Sequence, residues 1–123
     1  MPKVKKILFV EDDLRYARII SMRLEINGYK VVCAQDGEEA FRKLRTEEPD
    51  LLLLDLMLPK IDGFEVCRLL KFEEKYKGLP IIILTALNHK KDRQKAVASG
   101  ADAYFIKPFN LEALLVKIRS FIG

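Results

Sequence analysis

Residues 51–59 read LLLLDLMLP: Leu51 to Leu54 run straight into Asp55, and apolar residues resume at Leu56 before Pro59. A carboxylate is costly to bury unless it is paired. Pro49 breaks the pattern before this run, and the turn residues of Pro59–Gly63 follow it. The spacing predicts a strand from Asp50 to Asp55 that is apolar on both faces, the mark of a parallel strand covered on both sides. The carboxylate is thus set at the end of the most apolar run in the chain.

The same alternation of strand and helix extends outward in both directions. Upstream, Lys5–Val10 (KKILFV) predicts a first buried strand, and Leu14, Ala17, Ile20 and Leu24 recur at helical spacing behind it. Asn27-Gly28 ends that helix, because glycine accepts the left-handed conformation at a helix C-terminus. Lys30–Ala34 is a second strand, and Asp36 with Glu39 forms a capping box before the apolar face of Ala40, Phe41 and Leu44. Downstream, Phe64, Cys67 and Leu70 mark a third helix that fades near Gly78, and Ile81–Leu84 is a β-branched fourth strand. Asp92–Ser99 is a weakly amphipathic fourth helix closed by Gly100, followed by a strand at Asp102–Ile106. Asn110 caps a last helix with a stripe of Leu111, Leu114, Leu115, Ile118 and Ile122. Five βα units in succession, with right-handed crossovers, give an α/β, doubly wound three-layer sandwich.

Composition sets limits. The 123 residues suit one domain, and half are hydrophobic, enough for one core. No apolar run approaches the ~18–20 residues of a membrane span. Met1–Lys6 is basic but is followed by too short an apolar stretch for a signal peptide, so the expected compartment is the cytoplasm. Cys33 and Cys67 have no metal-ligand spacing and read as buried free thiols. The formal charge of +4 comes from basic residues mixed with acids on helix surfaces. The densest group, His89, Lys90, Lys91, Arg93 and Lys95, includes Asp92 and lacks interleaved aromatics, which argues for a solvated face and against direct nucleic-acid binding.

The polar residues that follow the strands share one edge. Glu11-Asp12-Asp13 follows the first strand, Asp55 the third, Thr85 the fourth and Lys107-Pro108 the fifth. Ligands of open parallel sheets bind outside the carboxyl ends of the strands. Glu11, Asp12 and Asp55 would repel one another there, and a divalent cation such as Mg²⁺ relieves that repulsion while leaving room for an anionic substrate. Lys107 offers a point charge and Thr85 a hydroxyl for the oxygens of a phosphoryl group. Asp55 is the natural nucleophile, forming an acyl phosphate. Taken singly, each has a plainer reading as a cap, turn or surface residue, and Asp13 is expected to cap the first helix. The combination at four strand ends carries the argument.

With these residues in place, the sequence resembles the receiver domain of two-component response regulators over essentially its whole length, residues 1–123. The resemblance rests on ILFVEDD (7–13), LLLLDLMLPKIDGFEV (51–66), PIIILTA (80–86) and GADAYFIKPF (100–109). It implies a flavodoxin-like (βα)5 fold with strand order 2-1-3-4-5. It implies a phosphorylation-dependent signalling switch, not an enzyme, in which Asp55 accepts a phosphoryl group from a phosphohistidine on a sensor histidine kinase or phosphotransfer protein. Asp12 would ligate Mg²⁺ directly, Glu11 mostly through water, and Met57 through its backbone carbonyl. Lys107 would pair with phosphoryl oxygens, its bond to Pro108 being cis. Thr85 and Tyr104 would move inward as switch residues. The output, to a downstream effector protein or domain, would run through the face of the fourth helix, fifth strand and fifth helix. The fourth helix has few large apolar anchors and is expected to shift, from His89 to Ser99. His89 itself is expected to be exposed and without a chemical role.

The same resemblance admits a phosphorylation-dependent dimer through that face. Arg93, Lys117, Arg119 and Asp102 suit it, but Ala98, Ala103 and Ala113 stand where acids are expected. Met57 and Leu87 flank the site and would slow hydrolysis of the acyl phosphate. Other readings fare worse. A dehalogenase-type phosphatase needs an acid at position 57, where Met57 stands. A flavin site would not tolerate Glu11-Asp12-Asp13, and a nicotinamide site needs a Gly-rich first turn that is absent. A receiver-like module that is never phosphorylated would usually lack some of the acids, Thr85 or Lys107, and all are present.

Overall fold

The computed structural model describes residues 3–123; of the basic start Met1–Lys6, Met1 and Pro2 lie outside the described residues. The chain alternates β1 (Lys6–Val10), α1 (Leu14–Ile26), β2 (Lys30–Ala34), α2 (Gly37–Glu47), β3 (Leu51–Leu54), α3 (Gly63–Phe72), β4 (Ile81–Thr85), α4 (Lys90–Ala98), β5 (Ala103–Ile106) and α5 (Leu111–Ile122). A short 3-10 turn at Glu74–Tyr76, not foreseen in the sequence, joins α3 to β4. The strands form one parallel sheet in the order β2-β1-β3-β4-β5, as expected.

Side chains alternate across the sheet because successive strand residues point to opposite faces. Leu8, Val10, Leu52, Leu54, Ile81 and Ile83 pack with Ala40 and Leu44 of α2, Val66, Cys67 and Leu70 of α3, and Ala96 of α4. Ile7, Phe9, Leu51, Leu53, Ile82 and Leu84 pack with Ala17, Ile20 and Leu24 of α1 and with Leu114, Leu115 and Ile118 of α5. All residues of β3 and β4 are fully buried, whereas the edge strands β2 and β5 are only partly covered. Cys33, on the edge strand β2, is accordingly half-buried rather than buried as expected, and Cys67 is buried.

Four of the five helices begin at a side-chain cap, at the expected Asp13, Asp36 and Asn110 and also at Asp62, while α4 has none. Asp13, Asp36, Asp62 and Asn110 each accept a backbone N–H of the first turn. The Asp36 box closes one residue further back than expected, since Glu39 accepts from the Gln35 N–H. Gly28 follows the α1 C-cap Asn27 at φ +96°, which an L side chain rarely adopts.

Two strand starts shift, for one reason. Asp50 and Asp102, the expected first residues of β3 and β5, both stand one residue before them. Asp50 accepts the Lys6 N–H at 2.8 Å through its side chain and donates its own N–H to the Lys6 carbonyl at 2.8 Å. Asp102 does the same to Ile81, side chain and backbone both at 2.8 Å. β1 likewise starts at Lys6 rather than Lys5, and β4 gains Thr85. α4 begins at Lys90, two residues before the expected Asp92, and ends at Ala98. Its basic residues and His89 are exposed, and Ala96 is its one buried residue among the described residues. No helix among the described residues is long and apolar enough to cross a membrane.

Candidate phosphoacceptor site

Main-chain hydrogen bonds carry the parallel ladder one residue past the strands and fix the site. The Glu11 N–H donates to the Ala34 carbonyl (2.9 Å), Asp55 N–H to Val10 (3.1 Å) and Lys107 N–H to Thr85 (2.8 Å). Each of these residues thus hangs from the end of a neighbouring strand. Glu11, Asp55 and Thr85 are buried; Asp12 is exposed.

Asp55 is held from a second side by α3. A Cβ added to Gly63 would overlap the Asp55 carbonyl oxygen and lie 2.6 Å from the Leu56 Cα, so only glycine lets the helix start press against this backbone. The Gly63 N–H donates to the Leu56 carbonyl at 3.0 Å. The Met57 N–H donates to Asp55 Oδ1 at 3.1 Å, which puts the Met57 backbone at the site while its side chain is exposed.

Glu11, Asp12 and Asp55 each bring one carboxylate oxygen within 4.8 Å of the others. Three hard oxygen donors at that spacing fit Mg²⁺, which takes few carboxylates and keeps several waters. Lys107 Nζ lies among them, donating to Glu11 Oε1 and, at 3.2 Å, to Asp55 Oδ2. The Lys107–Pro108 peptide is cis, as expected. Burial pushes the Glu11 carboxyl above its ordinary range, and its bonds with Lys107 and the Asp13 N–H do not offset that. Burial works against the Lys107 ammonium too, but Glu11 and Asp55 outweigh it and raise its pKa. The difference follows from depth: the Glu11 side chain is 2% exposed and that of Lys107 18%.

Thr85 and Tyr104 meet at one residue. Thr85 Oγ1 accepts the Leu87 N–H at 3.4 Å, and Tyr104 Oη donates to the Leu87 carbonyl at 2.7 Å. The half-buried Tyr104 ring carries the Arg93 guanidinium 5.4 Å from its centroid.

Arg93 and Asp102, two of the residues suited to a dimer, line one cavity between α4 and β5, but two of the four have partners within the chain. Asp102 is engaged inside the chain by Ile81 and by Lys71 (3.4 Å), and Arg119 reaches Asn27 at the end of α1 (3.4 Å). Sequence reading also passed over Tyr16. Its ring lies 4.2 Å from Lys107 Nζ and packs edge-on against Phe9 and Phe109. A tyrosine on a helix carries no sequence signal of what its ring faces.

Comparison with known proteins bears on this geometry. The profile of the response regulator receiver domain matches residues 7–119. The probable transcriptional regulator ycf27 of Cyanophora paradoxa is 46% identical over 118 residues, 96% of this chain and 48% of its own length. The alkaline phosphatase synthesis transcriptional regulatory protein PhoP of Bacillus subtilis is 41% identical over 118 residues, with the same shares of the two chains. The chain therefore spans about half the length of the curated relatives it matches. Among solved structures, chemotaxis protein CheY4 of Vibrio cholerae superposes with TM-score 0.90 at 32% identity, covering 98% of this chain and 100% of that one. The BeF3-activated receiver domain of Klebsiella pneumoniae RstA gives TM-score 0.90 at 35% identity, covering 95% and 97%. With matching sequence, strand order and rim chemistry, the chain belongs to the response regulator receiver domain family.

Proposed function

We propose that this receiver domain acts as a phosphorylation-dependent switch whose phosphoacceptor is Asp55. The observation that carries the reading is Lys107 Nζ lodged between Asp55 and Glu11, with Asp12 completing an acidic cluster at a rigid rim. An Asp55 carboxylate oxygen attacks the phosphorus of a phosphohistidine on a sensor histidine kinase or phosphotransfer protein. The P–N bond breaks, the imidazole leaves, and an acyl phosphate forms on Asp55. Glu11, Asp12, Asp55 and the Met57 carbonyl would hold Mg²⁺, which supplies neutralisation of phosphoryl charge. Lys107 leaves its carboxylate partners for a phosphoryl oxygen, and Thr85 turns its hydroxyl to another. These donors suit phosphoryl transfer, which needs alignment and charge stabilisation above all.

When Thr85 turns, the Leu87 N–H loses its acceptor, and Tyr104 holds the carbonyl of the same residue. The disturbance passes to α4, in which Ala96 is the one buried residue among those described, and so to the output face. The chain is a stoichiometric switch, not an enzyme turning over a foreign substrate. It works in the cytoplasm, where kinase histidines are charged from ATP. Its output goes to an effector protein or domain, without direct nucleic-acid binding by these residues. Ala98, Ala103 and Ala113, with Asp102 and Arg119 engaged elsewhere, argue against a dimer through α4, β5 and α5. Met57 and Leu87 beside the site slow attack by water, so the phosphoform decays slowly; a half-life of seconds would refute this.

The test is incubation with acetyl phosphate or phosphoramidate, with and without Mg²⁺, followed by intact-mass measurement. One phosphoryl group is expected, dependent on Mg²⁺ and missing in Asp55→Asn. Wild-type labelling of Asp55→Asn would overturn the assignment.

A further inference from the structure

Lys107 has a third neighbour besides its two carboxylates. Its Nζ stands 4.2 Å from the centroid of the Tyr16 ring, within the range where an aromatic face attracts a cation through its quadrupole. Tyr16 comes from the first turn of α1, so the contact joins α1 to the loop after β5.

The ring is not free to turn away. It meets Phe9 of β1 edge-on, with centroids 6.5 Å apart and planes at 65°, and Phe109 at 6.4 Å and 63°. Phe109 in turn packs edge-on with Phe105 of β5 at 6.3 Å. Phe9 is fully buried in the sheet, so the row Phe9–Tyr16–Phe109–Phe105 ties the ring to the core. Aromatic pairs in this geometry add stability beyond area alone and fix ring orientation. Glu11, Asp55 and Tyr16 are thus neighbours of one ammonium, two by charge and one by its aromatic face.

We propose that Tyr16 is a positioning residue for Lys107. Its ring face holds the ammonium within reach of Asp55 and takes the place of hydration while the ammonium exchanges a carboxylate partner for a phosphoryl oxygen. A lysine has four rotatable side-chain bonds and would otherwise swing into solvent. This inference rests on Lys107 serving the phosphoryl group as proposed above. It requires the ring and not the hydroxyl.

The probe is beryllofluoride with Mg²⁺, a non-covalent phosphoryl mimic, titrated by amide NMR into the wild type, Tyr16→Phe, Tyr16→Leu, Lys107→Ala and the Tyr16→Leu/Lys107→Ala pair. Tyr16→Leu is expected to bind about 5- to 30-fold more weakly, as a partly desolvated cation–ring contact implies. Tyr16→Phe is expected to bind within about 2-fold of wild type, as an intact ring face predicts. In the Lys107→Ala background, Tyr16→Leu should have no further effect, which a merely structural role for the ring would not produce. Thermal melts and amide spectra without ligand show that each variant is folded. Wild-type affinity in Tyr16→Leu, a loss in Tyr16→Phe equal to that in Tyr16→Leu, or full additivity in the double variant would each overturn the assignment. Unchanged binding in Lys107→Ala would instead overturn the role of Lys107 itself, and Tyr16's with it.

Discussion

The two rims of the sheet use the same residue types to opposite ends. At the amino rim, acids are matched. Asp50 caps the Lys6 N–H, Asp102 caps the Ile81 N–H, and Glu47 meets the Lys6 ammonium at 3.2 Å. At the carboxyl rim, Glu11, Asp12 and Asp55 cluster, and the Lys107 ammonium bonds two of them, Glu11 and Asp55. A carboxylate with its own donor closes a strand end. Three clustered with one ammonium that bonds two of them leave charge to be matched from outside, and that surplus separates a binding edge from a structural one.

The sharpest way to break this contrast is to remove one carboxylate at each rim. Asp55→Asn should abolish phosphoryl incorporation from acetyl phosphate, read by intact mass, while its melting temperature does not fall. Asp102→Ala should do the reverse. It leaves the buried Ile81 N–H without a partner, costing about 1–3 kcal/mol in urea unfolding, and labelling of the folded protein should continue. If Asp102→Ala lost labelling while still folded, the rims would not be separable.

Gly63→Ala tests how firmly the carboxyl rim is set. The added methyl meets the Asp55 carbonyl and the Leu56 backbone, so about 1–3 kcal/mol of stability should go. Labelling by acetyl phosphate should slow as well, since the phosphoacceptor's own backbone must move. A stable variant with wild-type labelling would show that this loop yields freely.

The pH dependence of Mg²⁺ binding sharpens the contrast further. Burial keeps the proton on Glu11 to a higher pH than an ordinary carboxyl. Protons therefore compete with the cation sooner on acidification, and apparent affinity should begin to fall above pH 4.5, the ordinary Glu value. For stability the raised Lys107 value has the opposite reach. Its contribution is full below the ordinary lysine value and is lost as pH rises through the raised one, so Lys107→Met should flatten the alkaline fall in melting temperature.

The smallest effect belongs to α4. Val97, largely exposed, should tolerate alanine within ~0.5 kcal/mol, and α4 amides should exchange with deuterium faster than those of α5, which buries Leu114, Leu115 and Ile118. Equal protection in the two helices would remove the case for a mobile output face.

Much of this was legible in the chain because it is local. The leucines of β3, the aspartate caps and Asn27-Gly28 act within a few residues of themselves. The carboxyl-rim residues were legible because each directly follows an apolar run. The amino-rim caps were not, since Asp50 and Asp102 act on strand starts 44 and 21 residues away. Tyr16 was hidden similarly: its partner Lys107 lies at the other end of the sequence, and a tyrosine on a helix says nothing of what its face meets. The 3-10 turn at Glu74–Tyr76 lies in a stretch of lysines and glutamates with one inward residue, Tyr76, too few for a periodic signal.

Leu87 sets a noise floor. Its backbone is gripped by two hydrogen bonds, one of them long, and the helix beyond it has one buried anchor. Net hydrogen-bond contributions of about 1 kcal/mol each leave the alternative arrangement only a few kcal/mol away. On the proposed switch, unphosphorylated molecules would visit the signalling form at roughly 0.1–10% occupancy. The cell would then read background output from the resting pool, and the dynamic range of the signal would be set at Leu87 as much as at Asp55.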